Sequence, residues 1–221
     1  MRGIRWILLP GLDGSGDLFE WFARCRPDVE IHVVRYPANA GWQIDDYVAH
    51  ADAAIAYGRA CVVVAESFSG PIALKLQRRN ASVAGVVLVA SFVICPNPLL
   101  KIVPAAAFRS HLRTVLTSSL LMRAMCPGFA ASRARVEAVQ RIVRAIPVDV
   151  LRARLRLLRD LDERDALRQV DVPLLAIAAN HDRLVSVQGN FFGPGSEHVA
   201  LDGPHFLLQA KPEKCWQVID E

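Results

Sequence analysis

Three residues far apart in the chain could together carry out acyl transfer: Ser67, Asp182 and His205. A serine hydroxyl is a weak nucleophile until a base takes its proton. An imidazole does this best when a carboxylate holds its tautomer and balances the charge it gains. Ser67 lies in the run Val62-Val63-Val64-Ala65-Glu66-Ser67-Phe68-Ser69-Gly70-Pro71, where a β-branched stretch gives way to a helical one. Ala65 and Ser69, two positions to either side, are small enough for a tight strand-to-helix turn that pushes the serine outward. In such a turn Phe68 contributes a backbone N–H to an oxyanion, and the helix beginning there points its positive end at the same place. The pentapeptide alone is a modest signal, because neither small position is glycine; the competing reading is a buried strand ending in a polar turn.

The base and the acid come from further along. Residues 172–179 form a buried-strand run that ends in Asn180-His181-Asp182, which places a carboxylate at a strand's C-terminal edge. Residues 198–201 read as a last short strand, and the following Asp202-Gly203-Pro204-His205-Phe206 presents a histidine before the C-terminal helix. Asp202 competes for the role of acid, but it would have to turn back on His205 within one loop, so Asp182 is preferred. His181 with His198 lacks metal-ligand spacing and reads as a solvent-exposed loop histidine, so no metal is expected. Glu66, next to the nucleophile, either pairs with a nearby arginine or raises the pKa of His205 by favouring the imidazolium. Asp13 reads as a turn former.

These residues need a scaffold of strands whose C-terminal ends share one edge. Strand-like and helix-like segments alternate, which predicts a mostly parallel sheet with helices on both faces. The expected strands are 4–9, 31–36, 61–65, 83–90, 174–179 and 198–201, and the expected helices 18–24, 44–57, 68–79 and 205–219. Pro71 falls in the first turn of its helix, where a missing N–H is tolerated. From Phe92 to about Arg168 the alternation gives way to helical patterning broken by prolines. Leu151, Leu155 and Leu158 share one stripe there, while Arg152, Arg156 and Arg159 point elsewhere.

The order Ser67, Asp182, His205 and the turn around Ser67 resemble the α/β-hydrolase superfamily, and the resemblance runs over nearly the whole chain. Pro10-Gly11-Leu12-Asp13-Gly14-Ser15-Gly16, after the first strand, looks like that family's oxyanion loop, with Pro10-Gly11 where the family usually has His-Gly. By this resemblance Leu12 supplies the second oxyanion N–H. The family's first two strands have no counterpart, which implies a trimmed sheet of about six. The family's helical cap would occupy about 95–168. The implied activity is hydrolysis of carboxylic esters of small or medium acyl groups through an acyl-serine, with no cofactor. Phe92 and Phe206, along with Leu12 and Phe68, are candidate walls for the substrate pocket. A thioesterase or acyl transferase using the same three residues stays open, as do lactone and carbon–carbon bond hydrolysis. A non-catalytic binder on the same fold is the reading from a different class.

Composition narrows the field further. At 221 residues and 52% hydrophobic content, the chain suits a single domain, 1–221, with a sizeable core. The apolar stretch 83–94 is too short for the roughly 20 residues of a membrane helix. The first strand starts almost at Met1 with no charged leader or cleavage site, which predicts the absence of a secretory signal. Five scattered cysteines suit reduced thiols and a cytoplasmic setting. Residues 109–168 hold 13 arginines and six acids, a net charge of +7 within a chain of net +4. With no nucleic-acid-binding signature, these arginines read mainly as a solvated helix surface. The minority reading is long-range attraction of an acidic partner, such as an acyl-carrier protein.

Overall fold

A computed structural model describes residues 4–55, 57–102, 133–185 and 196–221. Six parallel strands form one sheet: β1 (Arg5–Leu9), β2 (Glu30–Val33), β3 (Cys61–Glu66), β4 (Val83–Val89), β5 (Leu174–Ala179) and β6 (Ser196–Leu201), in the order β2-β1-β3-β4-β5-β6. The β-branched and aliphatic runs are buried on both faces in the central strands, as parallel sheets require, whereas β2 and β6 at the edges alternate toward solvent.

Successive residues of β1 show how the two faces divide. Ile7 and Leu9 join a core with Val63, Ala65, Leu88 and residues of helices α2 (Ile44–Ala53) and α3 (Gly70–Arg79). Trp6 and Leu8 join the opposite core with Val64, Val87 and Val89, covered by α1 (Glu20–Arg24) and the C-terminal helices. There Trp216 stacks on Phe22 with ring centroids 4.3 Å apart, meets Trp6 edge-on, and donates its indole N–H to the Phe22 carbonyl at 2.8 Å.

The chain runs from β1 outward to β2, then crosses back over β1 to β3 and continues the other way. The winding therefore reverses between β1 and β3, and ligand crevices open at such reversals, beyond the strands' C-terminal ends. The loop after β1 and the turn after β3 flank that crevice. These are the segments holding Leu12 and Ser67.

Between β4 and β5 the described chain is helical: α4 (Leu99–Ile102), α5 (Arg133–Ala145), α6 (Val148–Arg159) and α7 (Arg164–Arg168). Its two ends meet, since the Cys95 N–H donates to Leu161 O at 3.1 Å and the Glu163 N–H to Val93 O at 2.7 Å. Helix α6 buries Val150, Leu151, Leu155 and Leu158. Arg109 and Arg113 lie outside the described residues.

Several boundaries depart from the sequence reading. Strand β2 stops at Val33, three residues early, because the chain is then drawn toward β1: the Tyr36 N–H donates to Gly14 O at 2.8 Å. Helix α2 ends at Ala53 rather than 57. The C-terminal helix is two, α8 (Leu207–Ala210) and α9 (Pro212–Asp220), because Pro212 has no N–H to continue the first and opens the second. The expected helix start at Phe68 is a 3-10 turn over Ser67–Ser69 leading into α3.

Candidate active site

Ser67 adopts φ 48°, a left-handed conformation that costs an L-residue on the order of 1–3 kcal/mol and persists only where its surroundings enforce it. Three contacts do so. The Ser91 hydroxyl donates to Ser67 O at 2.7 Å. The Ser69 hydroxyl donates to Pro10 O, tying the turn to the loop after β1, and the Tyr36 hydroxyl donates to Ser69 Oγ at 2.7 Å. Gly70 makes room for Ser91, for a Cβ there would sit 1.9 Å from the serine oxygen.

The structure brings Ser67, Asp182 and His205 together. The Ser67 hydroxyl donates to His205 Nε2 at 3.0 Å, and His205 Nδ1–H donates to Asp182 Oδ2 at 2.7 Å. Asp182 Oδ1 accepts the backbone N–H groups of Leu184 and Val185 at 2.8 and 2.9 Å, so the carboxylate is held from both sides. Burial alone would depress the pKa of His205, but the charge and hydrogen bond of Asp182, with a further contribution from Glu66, outweigh it and hold the imidazole above its ordinary value. Asp202 turns away: its side chain is exposed and accepts from His181 Nε2 at 2.8 Å.

Glu66 is buried behind Ser67. Its partner is the amide of Gln209, which donates to Oε1 at 3.0 Å, and no arginine pairs with it among the described residues. Desolvation pushes its carboxyl up to about 7. Asp13 closes a turn, accepting both the N–H and the hydroxyl of Ser15.

Gly11 lies against Ser67: a Cβ there would be 3.9 Å from the serine Cβ. Beside it lie Leu12, partly buried, and Phe68, in the 3-10 turn that follows β3. The Phe68 side chain is not at the surface of this site; it is wholly buried against Tyr36 and Tyr47. Phe92 is likewise packed into the core on the α3 side. Phe206 is partly exposed beside His205, with ring centroids 5.6 Å apart.

Four side chains at this site went unnoticed in the sequence. Ser91, Tyr36 and Gln209 carry no local signal, since each acts across the fold. Arg154 did carry one, a charge on an otherwise apolar helical stripe. No group of His, Cys, Asp and Glu suited to a metal occurs among the described residues.

The sheet order, the strained serine and its partners define a class of protein. Residues 6–218 match the model of the alpha/beta hydrolase family, and the chain belongs to that family. Among solved structures, it is similar to the enol-lactonase of Burkholderia xenovorans, with a TM-score of 0.83 at 14% identity over 100% of this chain and 93% of that one. An esterase from Exiguobacterium antarcticum gives a TM-score of 0.82 at 13% identity, covering 99% and 91%. A bromoperoxidase from Bacillus anthracis gives 0.79 at 12%, covering 99% and 92%. At such identities the likeness is one of fold. No curated protein matches the chain in sequence.

Proposed function

We propose that the protein is a serine hydrolase that cleaves carboxylic esters of small or medium acyl groups through an acyl-serine. The observation that carries this reading is the hydrogen-bonded chain from Ser67 Oγ through His205 to Asp182, with a 3.0 Å first step and a 2.7 Å second. His205 Nε2 takes the Ser67 proton as Oγ attacks the ester carbonyl, while Asp182 steadies the imidazolium. The developing oxyanion is received by the Leu12 and Phe68 N–H groups. His205 returns its proton to the leaving alkoxide, leaving the acyl group on Oγ. A water, deprotonated by His205, attacks that ester and releases the acid, restoring the Ser67 hydroxyl. No step uses a metal or organic cofactor.

The substrate is a small molecule that enters over Ser67 beneath a cap to which the described helices between β4 and β5 belong, with Phe206 on its wall. The setting is the cytoplasm, a reading supported by four unpaired cysteines among the described residues. No described helix is long and apolar enough to cross a membrane.

The test is Ser67→Ala, which should fold and lose hydrolysis of p-nitrophenyl esters by on the order of 10⁶ in turnover. A fluorophosphonate should label the wild type at Ser67 and leave the variant untouched. Labelling at another serine, or turnover that survives in the variant, sinks the assignment. A graded panel of esters, lactones and acyl thioesters then separates esterase from thioesterase. Product analysis with added alcohol or thiol acceptors detects acyl transfer.

A further inference from the structure

Arg154 is the exception among the arginines between β4 and β5: it is 1% exposed. It sits on the apolar stripe of α6, three residues after Leu151 and four before Leu158, and its guanidinium reaches across to the loop after β1. Nη1 donates to Leu12 O at 2.8 Å and to Asp13 O at 2.9 Å. Nη2 donates to Pro37 O at 3.4 Å and Nε to the Tyr47 hydroxyl at 3.2 Å, while the guanidinium carbon lies 5.7 Å from the Tyr47 ring centroid. Every one of these partners is an uncharged oxygen or a π face, and no carboxylate pairs with Arg154 among the described residues. Burying a cation without a counter-ion is expensive, and a leucine at this stripe position would cost nothing of the kind. The loop has been shaped to receive it: Gly14 has φ 70°, and a Cβ there would lie 2.5 Å from Nη1.

What the guanidinium fixes is the peptide that follows Leu12. The peptide before Leu12, which carries the Leu12 N–H, has one bond of its own, from the Gly14 N–H to Gly11 O at 3.1 Å, and Arg154 holds the two carbonyls that follow within the same turn. In a trans peptide the N–H points opposite the carbonyl. The Leu12 N–H must therefore face away from the turn interior, and rotation about Leu12 is blocked from the far side by Arg154. We propose that Arg154 is a positioning residue for the hydrolytic reaction, holding the Leu12–Asp13 peptide so that the Leu12 N–H is presented to the oxyanion formed at Ser67. The inference rests on the serine-hydrolase reading. It makes the segment between β4 and β5 part of the catalytic apparatus as well as a cover: α6 has to be docked for the oxyanion site to be set.

The experiment compares wild type with Arg154→Ala, Arg154→Lys and Tyr47→Phe, using p-nitrophenyl butyrate turnover, the rate of Ser67 phosphonylation by a fluorophosphonate, and thermal melting. Loss of an oxyanion donor costs roughly 10²–10³ in kcat, and a donor left in place but poorly aimed should cost about 10- to 100-fold in Arg154→Ala. KM should stay within about twofold, because the contact strengthens in the transition state. Phosphonylation should slow in parallel. Added guanidinium ion should restore turnover in Arg154→Ala while leaving wild type unchanged, a rescue that a merely structural arginine would not give. If Arg154→Ala does not fold, Arg154→Lys and Tyr47→Phe carry the test, each expected to lower kcat with little change in KM. Wild-type kcat in the folded variants overturns the proposal, as does a loss confined to KM. The two readings fail differently: wild type that cannot be labelled at Ser67 removes the hydrolase reading and this inference with it. Ser67 labelled at the same rate in wild type and variants overturns the inference alone.

Discussion

Asp182 and Asp202 are both within reach of His205 by sequence, and backbone donors separate them. Asp182 is fixed by two N–H groups and faces the ring, while Asp202 is spent on His181 at the surface. Asp182→Asn should therefore lower kcat by about 10³ to 10⁴, and Asp202→Asn should leave it near wild type. Steady-state kinetics on a p-nitrophenyl ester checks the pair, and the reverse ranking would remove Asp182 from its role. Glu66 makes a second prediction. In the proposed mechanism the base is neutral His205, whose pKa is raised, so kcat/KM should climb with pH at values above those of an ordinary imidazole. Glu66→Gln keeps an acceptor for Gln209 but removes the negative charge, so the acid limb should move to lower pH. The same substitution bears on folding. Between pH 4.5 and about 7 the unfolded chain releases a proton from Glu66 that the folded chain keeps, so wild-type stability falls through that window. Glu66→Gln should gain over wild type at pH 8 and lose that advantage near pH 4, measured by urea melts at both. An acid limb that does not move would detach Glu66 from His205.

The turn after β3 shows what an element needs beyond its own sequence. Ala65 and Ser69 announced a tight turn, and Ser67 indeed sits at positive φ, yet the close approach lies one residue on, between Gly70 and Ser91 of the next strand's end. Gly70→Ala should destabilise by about 1–3 kcal/mol through overpacking. In the Ser91→Gly background, which opens the space while giving up the bond to Ser67 O, Gly70→Ala should cost little beyond Ser91→Gly alone, as denaturant melts would report; an equal cost of Gly70→Ala in both backgrounds would rule the contact out. The central strands were legible because β-branched runs buried on both faces have few alternatives. Their ends were less so, since β2 stops at Val33 where the Tyr36 N–H turns to Gly14 O, a contact that no local pattern encodes. Pro212 was a readable break that the helical periodicity of 205–219 concealed. Arg154 illustrates a different miss: arginines at 152, 156 and 159 do lie off the buried stripe, but position 154 is on it. A charged residue at a stripe position among leucines was the one signal available for its role.

At the scale of the molecule, the six-stranded sheet gathers the loops after β1, β3, β5 and β6 at one edge, and residues from all four meet there. The charge of residues 109–168 divides by the same geometry. Arg156 is exposed and Arg159 pairs with Asp160, in contrast to buried Arg154. Replacing Arg152, Arg156 and Arg159 together with Gln should leave kcat/KM for a neutral ester within about twofold at any ionic strength. An acidic carrier-linked substrate, were it the physiological one, would lose kcat/KM steeply with rising salt and with the same substitutions. Equal salt response for carrier-linked and free substrates would leave these arginines as solvated surface. The contact between α6 and the loop after β1 joins residues 142 positions apart. Its consequence concerns transplantation: a helical insert exchanged between members of this fold to alter substrate choice would carry away the arginine while leaving behind the glycine shaped for it. Such a chimera would inherit a new pocket and a slackened oxyanion site, so Gly14 and Arg154 need to be grafted as one unit.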